Sequence, residues 1–218
     1  MVKGVIFDMD GLMFDTERLW DTLWEPACAE LGLPLPKDMA KFQAGGRGLA
    51  GENLRRHVAA YIPGDPQRVL DKVWALADKR FAEGVPCKKG LKELLATLEE
   101  LGLPRIVASS SPRSMIEMNL KTSGTAKYFD KVVSGTEVAH SKPAPDTFLL
   151  AAEKLGLAPA DCLVLEDSEA GIQAAHAAGI DVICVPDMKT PAAEFQQMTA
   201  AMLKSLDDVQ AWLTQPAR

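Results

Sequence analysis

The sequence predicts an α/β fold: a doubly wound parallel sheet with an α-helical cap domain inserted after the first strand. Three observations lead there. Short apolar segments alternate with helical patterns along the C-terminal two-thirds of the chain. Residues 15–85 carry helical periodicity and no convincing strand. Acidic, serine and lysine residues recur at strand ends, which an open parallel sheet gathers on one edge.

The first strand is VKGVIFD, residues 2–8, where an apolar run ends on Asp8. The inserted segment follows, with helical patterns over 17–31, 51–61 and 67–81, broken by LGLPLP, GGRG and PGDP. Residues 85–89 return the chain to the sheet, so both ends of the insert lie near Asp8 and Asp10. That makes the insert a lid beside the strand ends. The expected domains are therefore a core of 1–14 and 86–218 and a cap of 15–85.

Residues 90–102 space leucines at 91, 94, 95, 98 and 101 and close on Gly102, a helix with a stop. The strand RIVAS, 105–109, comes next, then a helix over 112–122 opening on Pro112. KVVS, 131–134, is the third strand. The helix over 144–156 has Pro145 near its start and Gly156 after its end, the expected asymmetry. CLVLE, 162–166, is the fourth strand, and Ser168 and Gly179 bound the next helix. DVICV, 181–185, is the fifth. Four of the five strands are apolar on both faces, as strands covered on both sides must be. The tail, 189–218, reads as one or two helices, with LTQPAR fraying.

A chain of 218 residues suits one large domain, or one with a smaller companion. With 47% apolar and 25% charged residues it has ordinary globular composition. No apolar run approaches the ~20 residues of a membrane span. One lysine followed by a strand-like run is no signal peptide, so a cytoplasmic protein is expected. The net charge is −6 and basic residues are scattered, which argues against nucleic acid as a partner. Cys28, Cys87, Cys162 and Cys184 form no CxxC pair and read as buried free thiols. A monomer is the default assembly.

Asp8 and Asp10 stand one residue apart where a buried strand ends. Like charges that close repel, and burial raises the cost of ionisation. A divalent cation would compensate, and hard cations such as magnesium take oxygen ligands. Further acids appear in VLEDSEAG, where Glu166 and Asp167 end the fourth strand; the two acid pairs converge in one crevice. VASSSP supplies Ser109, Ser110 and Ser111 before a helix. Hydroxyls and helix N-terminal amides there suit a phosphate, although serines alone would also make an ordinary loop and N-cap. SKPAPD carries Lys142 in a loop stiffened by Pro143 and Pro145. A lysine beside carboxylates and a phosphate is their counter-ion.

DMDG, a serine-ended strand, KP after a third strand and EDS before a helix resemble the four motifs of the haloacid dehalogenase-like hydrolase superfamily. Order and spacing cover nearly the whole chain. DMDGLMFDTE, SKPAPDTF and LEDSEAGIQAAHAAG are similar to the subgroup of β-phosphoglucomutase and small-molecule phosphatases with a helical cap. The resemblance implies a Rossmann-like core and a set of roles. Asp8 is the nucleophile that becomes an aspartyl-phosphate. Asp10 is general acid for the leaving alcohol and then base for water. Ser109 and Lys142 hold phosphoryl oxygens, and Gly11 lets its backbone approach the phosphate. Asp8, the Asp10 backbone carbonyl, Glu166 and Asp167 hold Mg2+.

In the inserted segment the resemblance separates two activities. Mutases of this type carry a histidine in the first cap helix where alignment from DMDG puts Trp20. They also carry a basic cluster where this chain has Arg47, with only Lys41 near it. After the serines, Pro112 and Arg113 stand where mutases tend to have a lysine. Arg47 is either a grip on a polar substrate tail or a surface arginine. Trp20 is either part of a pocket ceiling or cap-core packing. The expected function is a Mg2+-dependent phosphomonoester phosphatase for a small metabolite, a sugar phosphate or nucleotide-like phosphate. The alternatives are a sugar phosphomutase and a non-catalytic phospho-ligand binding module; the second has no need of DxD.

Overall fold

In the computed structural model, residues 2–47, 49 and 51–215 are described. They divide into two compact units, Met1–Asp15 with Val85–Arg218, and Thr16–Gly84.

The first unit is built on a six-stranded sheet. Its strands are β1 (Gly4–Phe7), β2 (Arg105–Ser109), β3 (Val132–Ser134), β4 (Cys162–Glu166), β5 (Asp181–Cys184) and β6 (Ala201–Met202). The order is β3-β2-β1-β4-β5-β6 and every pairing is parallel. Val5 pairs with Arg105 on one side and Leu163 on the other, so β1 is central. The chain runs outward from β1 through β2 to β3, then returns to β4 on the opposite side. The order reverses between β1 and β4, and the crevice beyond the strand ends opens there.

Both faces of the sheet are buried. Ile6, Ile106, Val133, Val164 and Val182 belong to one core cluster, packed with α8 (Asp146–Leu155) through Phe148 and Ala151, and with α9 (Glu169–Ala177) through Ile172 and Ala175. Their neighbours Val5, Phe7, Val107, Leu163, Leu165 and Ile183 alternate to the other face and have no solvent exposure. The family-independent rule for apolar strands thus holds: a doubly covered parallel sheet reads as unbroken hydrophobic runs. Helix α6 (Leu91–Glu100) buries Leu91, Leu94, Leu95 and Leu98. Leu101, read as the fifth member of that stripe, lies past the helix end and is half exposed. Helix α7 (Arg113–Ser123) joins β2 to β3.

The two chain segments that leave and re-enter this unit pair with each other. Phe14 bridges Cys87 in antiparallel sense, Asp15 N–H donates to the Pro86 carbonyl at 3.0 Å, and Lys88 N–H donates to the Met13 carbonyl at 2.8 Å. Lys88 also forms ion pairs with Asp15 and Asp187, tying this ribbon to the loop after β5.

The second unit contains α1 (Thr16–Asp21), α2 (Trp24–Leu31), α3 (Met39–Gly46), α4 (Gly51–Tyr61) and α5 (Pro66–Ala82), and no strand among its described residues. Two expectations need correction. The single helix read over 17–31 is two helices. Pro26 has no N–H to give the Thr22 carbonyl, and its ring crowds that carbonyl. The chain turns instead with Thr22 N–H on Leu19 O at 3.0 Å and Leu23 N–H on Trp20 O at 3.1 Å. Secondly, the sequence reading places no helix over 39–46, where α3 stands; GGRG does break the chain, since α3 ends inside it at Gly46, and Gly48 lies outside the described residues. A Cβ on Gly45 would stand 2.9 Å from the His57 ring, so this glycine serves close packing.

The tail also differs from its reading. Helices α10 (Ala193–Gln196) and α11 (Leu206–Thr214) flank β6, which extends the sheet. Ala200 N–H donates to Val182 O at 2.8 Å and Leu203 N–H to Cys184 O at 2.9 Å. The open side of β5 offers these partners, and a two-residue strand is too short to show a period. The end of LTQPAR, residues 216–218, lies outside the described residues.

Candidate active site

Asp8 follows β1 directly, and its N–H extends the ladder to the Leu165 carbonyl at 3.0 Å. That bond fixes the carboxylate between the ends of β1 and β4. Lys142, in the loop after β3, donates to Asp8 Oδ1 at 2.5 Å and to Glu166 Oε1 at 2.9 Å. The Lys142–Pro143 peptide is cis. The Lys142 side chain is 5% exposed and that of Glu166 1%, so this is a buried cation between two acids. Burial would drive Lys142 towards its neutral form, but Asp8 and Glu166 outweigh it and hold the ammonium charged. Burial pushes the Asp8 carboxyl up to about 8; Lys142 opposes the rise, while Glu166 and Asp10 add to it.

Glu166 is held at every approach. Its Oε2 accepts from Asp167 N–H at 2.8 Å, Ser168 N–H at 2.7 Å and the Ser168 hydroxyl at 2.9 Å. Ser168 is also the N-cap of α9, accepting from Gly171 N–H at 3.1 Å. The turn from β4 into α9 therefore aims Glu166 and caps the helix with the same residues. A Cβ at Gly171 would overlap the Glu166 carboxylate.

Asp10 turns the other way. Its Oδ2 accepts from Ser111 Oγ at 2.7 Å and Ser109 Oγ at 3.2 Å, and Ser111 N–H donates to Ser109 Oγ at 3.0 Å. Ser109 is the last residue of β2 and fully buried. Ser110 is exposed, with its backbone against Gly135, whose Cβ would stand 2.8 Å from the Ser110 carbonyl oxygen. The sequence reading names all three serines and gives Ser109 the phosphoryl oxygens and Ser110 a part in substrate binding; the serine that reaches Asp10 alongside Ser109 is Ser111. The triple SSS held that signal without the rotation that decides which hydroxyl faces inward. Gly11 has φ +82°, and a Cβ there would also meet the Asp167 carboxylate.

Asp8, Glu166 and Asp167 each present a carboxylate oxygen within 4.8 Å of the others. Burial, then Glu166 and Asp8, holds the Asp167 carboxyl well above the usual carboxylate range. An all-oxygen, acidic cluster this close fits a hard divalent cation. The Asp10 side chain is engaged by the serines, which is compatible with any part for Asp10 in such a site being played by its backbone.

The remaining two predicted residues lie on the helical unit. Trp20 on α1 packs edge-on to Trp74 with centroids 4.8 Å apart and lies 5.2 Å from Phe81. Arg47 follows α3 and donates to Asp21 Oδ2 at 2.6 Å. Its charge is thus met by a carboxylate of its own unit.

Residues 2–179 match the haloacid dehalogenase-like hydrolase family, and the chain belongs to it. The chain is 37% identical to fructose-1-phosphate phosphatase YqaB of Escherichia coli (strain K12), over 84% of this chain and 95% of that one. It is 33% identical to hexitol phosphatase B of the same organism, over 85% and 84%. Among solved structures it is similar to a putative β-phosphoglucomutase from Thermotoga maritima, with a TM-score of 0.83 at 26% identity, covering 97% of this chain and 98% of that one. Among the described residues no helix is long and apolar enough to cross a membrane.

Proposed function

We propose that this hydrolase is a Mg2+-dependent phosphomonoester phosphatase for a small sugar phosphate, acting through an aspartyl-phosphate on Asp8. The observation that carries the reading is Lys142 Nζ seated between Asp8 and Glu166, with Asp10 held apart by Ser109 and Ser111. A phosphatase of this kind needs two carboxylates in different environments, one to attack and one to carry a proton. The sugar-phosphate substrate class rests on the fructose-1-phosphate and hexitol phosphatases above.

In the first half-reaction an Asp8 oxygen attacks phosphorus while the bond to the leaving oxygen breaks, and Asp10 protonates that oxygen. In the second, Asp10 takes a proton from water, the water oxygen bonds to phosphorus, and the Asp8–phosphorus bond breaks to release phosphate. Lys142 and Ser109 hold the phosphoryl oxygens throughout. Asp8, Glu166, Asp167 and the Asp10 backbone carbonyl would hold Mg2+, which supplies positive charge against the phosphate dianion and favours the ionised form of Asp8. The helical unit, Thr16–Gly84, would serve as the cap that excludes water. The resemblance puts Trp20 where the mutases carry a histidine, and Trp20, packed with Trp74 and Phe81, offers no proton-transfer group there, which supports hydrolysis over phosphomutase chemistry.

The test is phosphate release from p-nitrophenyl phosphate and a panel of sugar and nucleoside monophosphates with Mg2+. Turnover abolished by Asp8→Asn with phosphate binding retained supports the reading. Asp10→Asn should lose turnover and keep Mg2+ affinity; a collapse of that affinity contradicts its role. An isomerised sugar phosphate without free phosphate would replace the reading with a mutase. Binding without turnover across the panel would replace it with a binding module.

A further inference from the structure

Lys142 and Phe148 are six residues apart, on either side of the loop stiffened by Pro143 and Pro145. That loop enters α8 with Phe148 N–H on the Pro145 carbonyl at 3.1 Å, placing Phe148 in the first turn of the helix. Its ring has no solvent exposure and is fixed in the core cluster beside Ile6, Ile106, Ala151 and Val164. The Lys142 ammonium stands over this ring, 4.4 Å from its centroid. A buried lysine needs favourable charge on each side it presents. Asp8 and Glu166 supply two of those contacts, and the electron-rich ring face supplies another.

The three supports differ in kind. Asp8 must release its hold on Lys142 to attack phosphorus, and both carboxylates belong to the cluster suited to a cation. The ring takes part in neither event. We infer that Phe148 is a positioning residue: its ring face keeps Lys142 Nζ at the phosphoryl site while the carboxylates around it change partners. The inference rests on the reading that Lys142 holds the phosphoryl group. An aliphatic side chain of similar volume would fill the core and lack the quadrupole.

Fluorinated phenylalanines at position 148 test this, because added fluorines drain the ring face with little change of shape. Inorganic phosphate affinity by calorimetry, kcat/KM and melting temperature are measured across phenylalanine, 4-fluoro, 3,5-difluoro and pentafluoro forms. The expected result is a stepwise fall in phosphate affinity and kcat/KM, on the order of tenfold across the series, with the melting temperature held. Phe148→Leu should show a comparable functional loss together with some loss of stability. Unchanged affinity and kcat/KM through the series would overturn the inference and leave Phe148 as packing alone. Lys142→Ala is the separate control. Wild-type turnover in that variant would overturn the functional reading itself, whereas its inactivity beside a flat fluorine series would remove only the role of Phe148.

Discussion

At the scale of single residues, the site depends on side chains that are absent as much as on those present. Gly171 leaves room for the Glu166 carboxylate, which in turn grips Lys142 and the turn into α9. In Gly171→Ala the added methyl must displace Glu166 or shift the first turn of α9. We expect a stability loss of about 1–3 kcal/mol in urea denaturation, the usual cost of overpacking. The proposed phosphatase activity should fall on the order of 10²-fold, since Lys142 loses its register with Asp8. Asp8, Glu166 and Asp167 were legible as candidates because each is an acid where a strand ends, and Lys142 because it stands in a loop stiffened by two prolines. Ser111 was legible only as one of three serines, and Phe148 not at all. One is a third serine in a row and the other reads as an ordinary apolar helix residue, and only side-chain direction gives them a part.

At the scale of elements, β3 is an edge strand, and exposed edges invite unwanted pairing. Here the Val132 carbonyl accepts from Arg113 at 3.2 Å and Lys154 at 3.1 Å. Glu137 binds both cations and also accepts from Ser134 N–H at 2.9 Å, so α7, β3 and α8 meet at one carboxylate. Burial alone would raise the Glu137 pKa, but Lys154, the Ser134 amide and Arg113 together bring it from 4.5 down to about 2. A carboxyl lowered in the folded state stabilises the fold above its unfolded pKa and loses that contribution as pH falls through the folded value. The contribution should therefore disappear between pH 4.5 and about 2. Thermal melts across that range should show the wild type losing more stability than Glu137→Gln, and parallel curves would refute the assignment. The elements themselves were largely readable from apolar runs and glycine stops. The break at Pro26 and the strand β6 were not, because one depends on a single missing N–H and the other on a partner 18 residues away.

At the scale of the whole molecule, the proposed cation site would couple metal binding to stability. Burial and mutual repulsion raise the Asp8 and Asp167 pKa values, so protons and a divalent cation compete for the same oxygens. Mg2+ should raise the melting temperature by a few degrees at pH 8, by binding the folded state alone. More Mg2+ should be needed for the same shift as pH falls towards 6, because protons then occupy Asp8 more fully. Asp167→Asn should abolish most of the shift. A shift that persists undiminished in that variant would place the cation elsewhere.

By itself the sequence determined the α/β class, the positions of the principal strands along the chain and the identity of the acids, because burial periodicity and strand-end chemistry are local. The resemblance of four short motifs carried the family. Tertiary structure alone decided that β1 lies between β2 and β4, that Asp10 turns to Ser111 while Asp8 turns to Lys142, and that the ring of Phe148 lies under the ammonium. Those outcomes depend on strand order and side-chain rotation, which bring together groups as many as 134 residues apart in the chain. No pattern confined to neighbouring residues encodes such meetings.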